Sequence, residues 1–542
     1  FETLWSKIPY IKDINKRFAS TRKPTTKQQK PKKFIRTYQL KPDTTLTVKH
    51  NMRTKKVKIT AVSADGSTPI AIKSRVLDAN SIEILSKGDY KIKLTVLEVI
   101  KEDRSIWKEI ADHTTRFVIS PRSMSVRYRN SNSLSIPLFS PNVGNLLGQS
   151  FSYGPMSPGL DFAFGFTDES YVYKALDRGW LITDDGQTSP AVWSRTNELN
   201  FELTLELFKG FKVTLITNRT DNRTSQMQFM YDGVPTSFSG SYTKTHVAIA
   251  TALRSSKAKN GYNSAAFNQF LANIPIVRDR VESQYQGTLY PTSGFMADNS
   301  HAGQPFDPKV GTVSTTSSDV LIPAFIAAYT GSDAKKIYLN PFPSLAHAMP
   351  NWRITYDGLI NIGGLKNIFK SFVLSHAYQC TYSVGSYNSY LNWASVNGSN
   401  TMGFTLDELS GEPIPSSPFN ISSVAITERF APLIGINVTL KNNINVNAEY
   451  RDQRTLTLNT AAGQVVEAST RGLTLGAGYK IVGFNTVLKM KGSQNGVSND
   501  LTLNANFSLQ NTQALIRRIE TGYTQATSGT RAINFNFTAN YI

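Results

Sequence analysis

One cysteine, Cys380, stands among 542 residues, so an intrachain disulfide and a thiolate metal cluster are both excluded. No run of about 18 apolar residues occurs, which excludes a transmembrane helix but not a membrane crossed by strands. The longest apolar stretch, 320–329 in "DVLIPAFIAAYTG", is too short to span. Charge is sparse: Asp, Glu, Lys and Arg make up 18% of the chain, against about 25% in ordinary soluble domains. The six histidines (His50, His113, His246, His301, His347, His376) are scattered without metal-ligand spacing. There is no nucleophile elbow and no phosphate loop, and "GAG" at 476–478 lies inside a strand pattern. The acidic pairs Asp168–Glu169 and Asp184–Asp185 lack the spacing of a calcium loop. No catalytic constellation emerges; an enzyme is the least supported class, and no cofactor or metal is expected.

What charge there is gathers at the front. Of the net +20, a share of +13 lies within 1–113, and 16–36 holds nine basic side chains and no acidic one. The run is almost without the aromatics on which single-stranded nucleic acid stacks, holding only Phe18 and Phe34, so it is expected to be a solvated linker and not a nucleic-acid site. The chain opens at Phe1 without Met or signal peptide and stops inside an alternating run at Tyr541–Ile542, so it reads as a piece of a longer protein.

The dominant pattern is alternation. In "LTLNANFSLQ" (501–510), Leu501, Leu503, Ala505, Phe507 and Leu509 point one way and Thr502, Asn504, Asn506, Ser508 and Gln510 the other. The same period runs through 199–215, 424–450, 473–481 and 533–541. Cys380 lies in the apolar phase of its strand with Tyr378 and Tyr382, as does His376. Short turns ("FKG", "KNN", "VGF") close one end of the hairpins, and long Gly/Ser/Asn/Pro-rich loops (131–196, 391–423) the other, as in outer-membrane barrels. The polar phases of 501–510 and 532–541 are Asn, Thr, Ser and Gln without Lys or Glu, where a soluble sheet normally guards itself with charge. Tyr450, Tyr479, Tyr541 and Phe430 sit near run ends, where an aromatic girdle lies.

Two segments differ. Residues 38–100 alternate with lysines on the wet phase and read as a small immunoglobulin-like sandwich. Between 255 and 349 the alternation fails; 263–284 and 319–337 have helical spacing, predicting a partly helical plug or cap. The predicted organisation is therefore 1–37, strand end, short helix and basic linker; 38–100, sandwich; 101–254, barrel strands with the loop 131–196; 255–349, helical insertion; 350–542, barrel strands.

Several stretches resemble the SprA/Sov family: "SPGLDFAFGFTDESYVYKALDRGWL" (157–181), "SQMQFMYDG" (225–233), "SSDVLIPAFIAAYTGSDA" (317–334), "PNWRITYDGL" (350–359), "SHAYQCTYSVGSY" (375–387), "FAPLIGINVTLKNNINVNAEY" (430–450) and "ATSGTRAINFNFTANY" (526–541). The resemblance covers roughly 1–36 and 114–542; the sandwich at 38–100 departs from it. That family forms the outer-membrane translocon of the type 9 secretion system of Bacteroidota, which also serves gliding motility. The resemblance implies an all-β chain: an antiparallel transmembrane segment of a very large β-barrel, here about ten to fourteen strands of its C-terminal portion, without the last strands of the wall. It implies export of folded proteins from periplasm to cell surface. The implied partners are a shuttle β-barrel, a periplasmic plug protein, secreted cargo proteins and outer-membrane lipid.

From alternation taken together with the loop asymmetry, the uncharged polar phases and the terminal aromatics, Leu503, Phe507, Leu509, Phe535, Phe537, Ile436 and Val438 are expected to face lipid, and Asn445, Asn447, Asn504, Asn506, Asn534 and Asn536 a water-filled lumen. A smaller uptake barrel, porin-like or receptor-like, and a secreted β-sandwich adhesin carry the same alternation.

Overall fold

The computed structural model describes residues 32–64, 68–86, 88–99, 120–142, 144, 147–154, 156–183, 189–230, 234–254, 256–344, 347–407, 409–485 and 498–541. They fall into two compact units, within 2–119 and within 120–542. The expected helix near 1–15, most of the basic linker and Asp184–Asp185 lie outside the described residues.

The smaller unit has six strands: β1 (Lys33–Leu40), β2 (Thr45–Lys49), β3 (Val57–Ser63), β4 (Lys73–Val76), β5 (Ser81–Leu85) and β6 (Tyr90–Glu98). They form two antiparallel three-stranded sheets, ordered β1-β6-β3 and β2-β5-β4. Ile92, Leu94 and Val96 of one sheet and Val48, Ile82 and Ile84 of the other share one buried cluster. Lys91 and Lys93 alternate with them and are exposed, as a period of two requires. The expected boundary at 37/38 needs correction. β1 starts at Lys33, and Phe34 and Tyr38 pack on this core, so the basic run ends as a strand.

The larger unit is built on a twelve-stranded antiparallel sheet. Its strands are β7 (Pro121–Ser135), β8 (Ala191–Phe208), β9 (Phe211–Met227), β10 (Ser237–Thr245), β11 (Asn351–Tyr356), β12 (Phe369–Ser389), β16 (Phe419–Ile421), β17 (Ser423–Leu440), β18 (Ile444–Asn459), β19 (Gln464–Asn485), β20 (Ser498–Arg518) and β21 (Thr524–Tyr541). The hydrogen-bonded path runs β7-β8-β9-β10-β12-β17-β18-β19-β20-β21, with β11 between β9 and β12 and β16 beside β12. Among the described residues β7 and β21 pair with one neighbour each and not with each other, so this sheet is open.

β10 and β11 occupy a single strand position. β10 pairs with 219–226 of β9 and 381–388 of β12; β11 pairs with 211–216 and 374–378 of the same two strands. Thr245 is level with Thr381, and Trp352 with Tyr378, so the chain leaves the sheet in mid-strand and returns almost in register. The gap is patched: His246 N–H donates to Cys380 O (2.9 Å), and Cys380 N–H donates to the Asn351 side chain (2.9 Å). The expected insertion at 255–349 thus begins at 246 and ends at 350.

Among the described residues three helices of eight or more residues accompany the sheet: α1 (Ser170–Asp177), α2 (Ala265–Ser283) and α3 (Ser318–Thr330). Ser264 caps α2 by accepting from Phe267 N–H, and Gly331 ends α3 in the left-handed conformation at φ 72°. α3 is apolar all round and buried from Val320 to Tyr329, which is why its run is hydrophobic without being a span. Burying a side chain such as Phe325 contributes roughly 2–3 kcal/mol.

The loops also differ from expectation. The β7–β8 connection is 136–190, shorter than 131–196, and contains α1. The segment 391–423 holds a three-stranded sheet, β13 (Trp393–Ser395), β14 (Gly403–Leu406) and β15 (Pro413–Ser416). "VGF" (482–484) is not a hairpin turn; it belongs to β19, at an irregularity opposite 499–501. "FKG" and "KNN" do turn the chain, with Gly210 at φ 80° and Asn443 at φ 62°.

Candidate functional site

The site is the large sheet itself, because its two faces differ. Directly paired residues share a face. One row reads Phe535, Phe507, Leu475, Ala448, Ile436, Leu374, Tyr356, Phe211 and Phe208, from β21 to β8 without a polar interruption. The next reads Phe537, Ala505, Ala477, Val446, Val438 and Phe372. Leu509 lies level with Ile533 and Leu473, and Leu503 with Ala539 and Tyr479. All seven side chains expected to meet lipid therefore lie on one face, the belt face. Along β20 the belt runs from Leu501 to Leu509, about 27 Å at 3.4 Å per residue and ~20 Å of height if tilted as barrel strands are. It is uncovered: Phe535 is 71% exposed, and Ile434, Leu475, Ile533 and Phe537 are exposed as well. Continuous exposed apolar area of this extent marks a membrane or protein contact.

The opposite face carries amides. Asn536, Asn506, Gly476, Asn447 and Asn437 form one row; Thr538, Asn504, Gly478, Asn445 and Thr439 form the next; Asn534 lies level with Ser508. The six asparagines expected at a lumen are thus brought together. Gly476 exists for its neighbours: a Cβ there would lie 2.1 Å from Asn447 Oδ1 and 2.8 Å from Asn506 Oδ1. The amides lean over the glycine from both sides. The uncharged character of this face is confined to the middle of β19–β21, and toward one end of β19 and β20 it gives way to the ion pair Lys480–Asp500 (2.7 Å). On β7 and β8 the same face presents Arg127, Arg129, Glu198 and Glu202.

Toward the end of the strands remote from "FKG" and "KNN", the belt face is covered by protein. Leu456, Leu458, Val465, Ile426, Tyr378 and Tyr382 share one buried cluster with Phe267, Phe270, Val277 and Phe325 of α2 and α3. Wall side chains reach across to hold the insertion. Arg454 donates to Thr251 O (2.8 Å) and pairs with Glu428 (2.8 Å). Arg517, fully buried, donates to Tyr262 O (2.8 Å) and Ser256 Oγ (2.7 Å) and pairs with Glu467 (2.8 Å). Tyr378 Oη accepts from Ala248 N–H (2.9 Å), while Tyr242 and Tyr382 donate to the carbonyls of Pro343 (2.6 Å) and Pro341 (3.1 Å). The sequence reading missed this cover. Its signal is that Glu428, Asp452, Arg454, Glu467, Arg471 and Arg517 all sit in the apolar phase of their strands, where a lipid face has no use for charge.

Phe430 does not join an aromatic girdle. It is 3% exposed, under the insertion, 5.0 Å from the Tyr378 ring. Tyr479 and Tyr541 are exposed at one margin of the belt and Tyr450 at the other. Cys380 is fully buried, and His376 Nδ1 lies 2.7 Å from Leu433 O. Within the insertion, burial pushes the Asp319 carboxyl above the usual range, although Ser417 donates to it from N–H (2.8 Å) and Oγ–H (2.7 Å). Among the described residues no three of His, Cys, Asp and Glu are placed to hold a metal ion. Asp168 accepts from Ser170 N–H (3.0 Å), and Glu169 faces Arg223 (3.5 Å).

No protein-family model matches the chain, and no curated protein matches it.

Proposed function

We propose that residues 120–542 are a stretch of wall of a transmembrane β-barrel in the outer membrane of a Gram-negative bacterium of the Bacteroidota. The barrel is the protein-conducting channel of a type 9 secretion system, of the SprA/Sov kind suggested by the motifs. Folded cargo proteins pass from periplasm to cell surface along the amide face, a shuttle β-barrel collects them, and a periplasmic plug protein seals the pore. The smaller unit is an immunoglobulin-like insertion.

The observation that carries this reading is the continuous, uncovered apolar row from Phe535 to Phe208 set against the asparagine rows behind it. A secreted sandwich buries its apolar faces, whereas this belt stays bare. One expectation changes. The insertion packs on the belt face, so with that face toward lipid it lies outside the lumen, beyond the bilayer, and is a bracket on the outer wall, not a plug.

Placing Arg at Leu503 or Phe507 is expected to impair membrane assembly by about 2–4 kcal/mol near the midplane, while Asn506→Arg assembles normally. Heat-modifiable gel mobility after reconstitution reads this. Equal tolerance on both faces would reverse or remove the lipid assignment.

A further inference from the structure

We propose a binding site for the phosphate headgroup of an anionic lipid on the belt face, where β8 and β9 pass from apolar to basic. The proposal rests on the reading that this face meets lipid.

A cavity of about 730 Å³ lies between α1 and the sheet, lined by Arg195, Arg219, Arg223, Asp221, Glu169 and Trp193 among others. Its floor brings like charges into direct opposition: Arg195 is paired in register with Arg223. Like charges directly opposite one another across a sheet are destabilising unless something neutralises them. Three carboxylates line the cavity with the three arginines, and each is engaged: Asp168 accepts from Ser170 N–H (3.0 Å) and from its hydroxyl (2.5 Å). Asp221 takes Arg219 (3.2 Å), and Glu169 takes Arg223 (3.5 Å) and the Ser225 hydroxyl. Arg195 has no carboxylate partner among the described residues; with the Asn197 amide oriented by its neighbours, Arg195 donates to that oxygen at 2.6 and 2.8 Å.

Unspent donors gather at the same place. Arg219 Nε, Arg223 Nε and Trp193 Nε1 are buried without a partner, and all three side chains line this cavity. Leftover acceptors would call for a cation or a hydroxyl; leftover N–H groups beside three guanidiniums call for an anion, and phosphate suits the fork of arginine. The position selects the source. Leu199 is directly opposite Arg219, and below them Phe201, Leu203, Val213 and Leu215 continue the belt, so a lipid whose acyl chains lie on those side chains brings its headgroup to the cavity.

The test uses the full chain in nanodiscs of phosphatidylcholine, alone or mixed with phosphatidic acid, read by thermal unfolding and by native mass spectrometry of retained lipid. The wild type is expected to retain phosphatidic acid and melt higher with it. Arg195→Gln/Arg223→Gln is expected to lose retention by about tenfold or more, while Arg531→Gln, on the same face of β21, behaves as wild type. Arg195→Glu places a carboxylate opposite Arg223; it is expected to melt higher than wild type in phosphatidylcholine alone and to gain nothing from phosphatidic acid. Retention unchanged in the double variant, or a lower melting point for Arg195→Glu in phosphatidylcholine, overturns the site. Equal stabilisation by inorganic phosphate means a free-anion site and overturns the lipid source. A chain that fails to enter nanodiscs of either composition, before any lipids are compared, overturns the belt reading itself.

Discussion

Gly476 is where a single hydrogen matters most. Strand propensity favours Val over Gly, so Gly476→Val should stabilise β19 if nothing else intervenes. The amides that lean over Gly476 predict the opposite: any Cβ drives Asn447 from its rotamer, at roughly 0.5–1.5 kcal/mol. We expect Gly476→Val to lower resistance to urea and the added Asn447→Ser to restore it; a more stable Gly476→Val would show that the amides do not hold their places. Asp319 gives a second prediction at this scale. Its carboxyl pKa is raised in the fold, chiefly by burial. The folded state therefore binds the proton more tightly than the unfolded state does. Its contribution is most favourable below the unfolded pKa and declines as pH rises through the folded value. Protection against hydrogen exchange around α3 and 413–421, taken relative to the intrinsic rate at each pH, should fall from acid to neutral pH, and Asp319→Asn, which can still meet Ser417 with an oxygen and a donor, should flatten that dependence.

Among the elements, the divided strand and the arginine brackets decide most. Asn351→Ala removes the acceptor that Cys380 N–H meets at the gap between β10 and β11. Leaving that donor unmet costs about 1–3 kcal/mol, and Asn351→Asp, which keeps an acceptor oxygen, should recover most of it in chemical denaturation. Arg517→Met breaks a buried ion pair and two bonds to the insertion. Removing one partner of such a pair costs about 3–5 kcal/mol, whereas replacing both by apolar residues costs much less. Exchange should therefore rise at 256–262, and at Thr524 of β21 to which Arg517 also donates (3.0 Å), in Arg517→Met, and fall again when Glu467→Met is added. The long strands were legible because Leu503 and Asn504 alternate with their neighbours over many residues, and α2 and α3 because Phe267, Phe270 and Phe325 keep helical spacing. What α3 packs against was not legible. Leu456 at the covered end and Leu475 in the bare belt have the same local pattern; only a contact distant in sequence distinguishes them.

Considered whole, the large unit is one sheet whose apolar side is half bare and half bracketed. The split tells against the lumen as the place of 246–350, and removal of that segment tests it. Deleting 247–350 leaves His246 level with Cys380, joining Thr245 to Asn351 in the register the two halves already keep. We expect inserted full-length channels carrying this deletion to conduct as the parent does; a marked rise in unitary conductance would show that the segment fills the pore after all. The candidate faces could be read residue by residue from alternation. The arginine-lined cavity could not, since Arg195 and Arg223 meet only through the pairing of β8 with β9.

The interrupted strand also constrains how such a wall is laid down. On the proposed reading hairpins enter the membrane two strands at a time, whereas this strand position is supplied in two parts separated by 246–350. Until 246–350 has folded, β9 leaves the half of its edge at 211–216 without the partner that β11 later supplies, and an open strand edge is a template for wrong pairing.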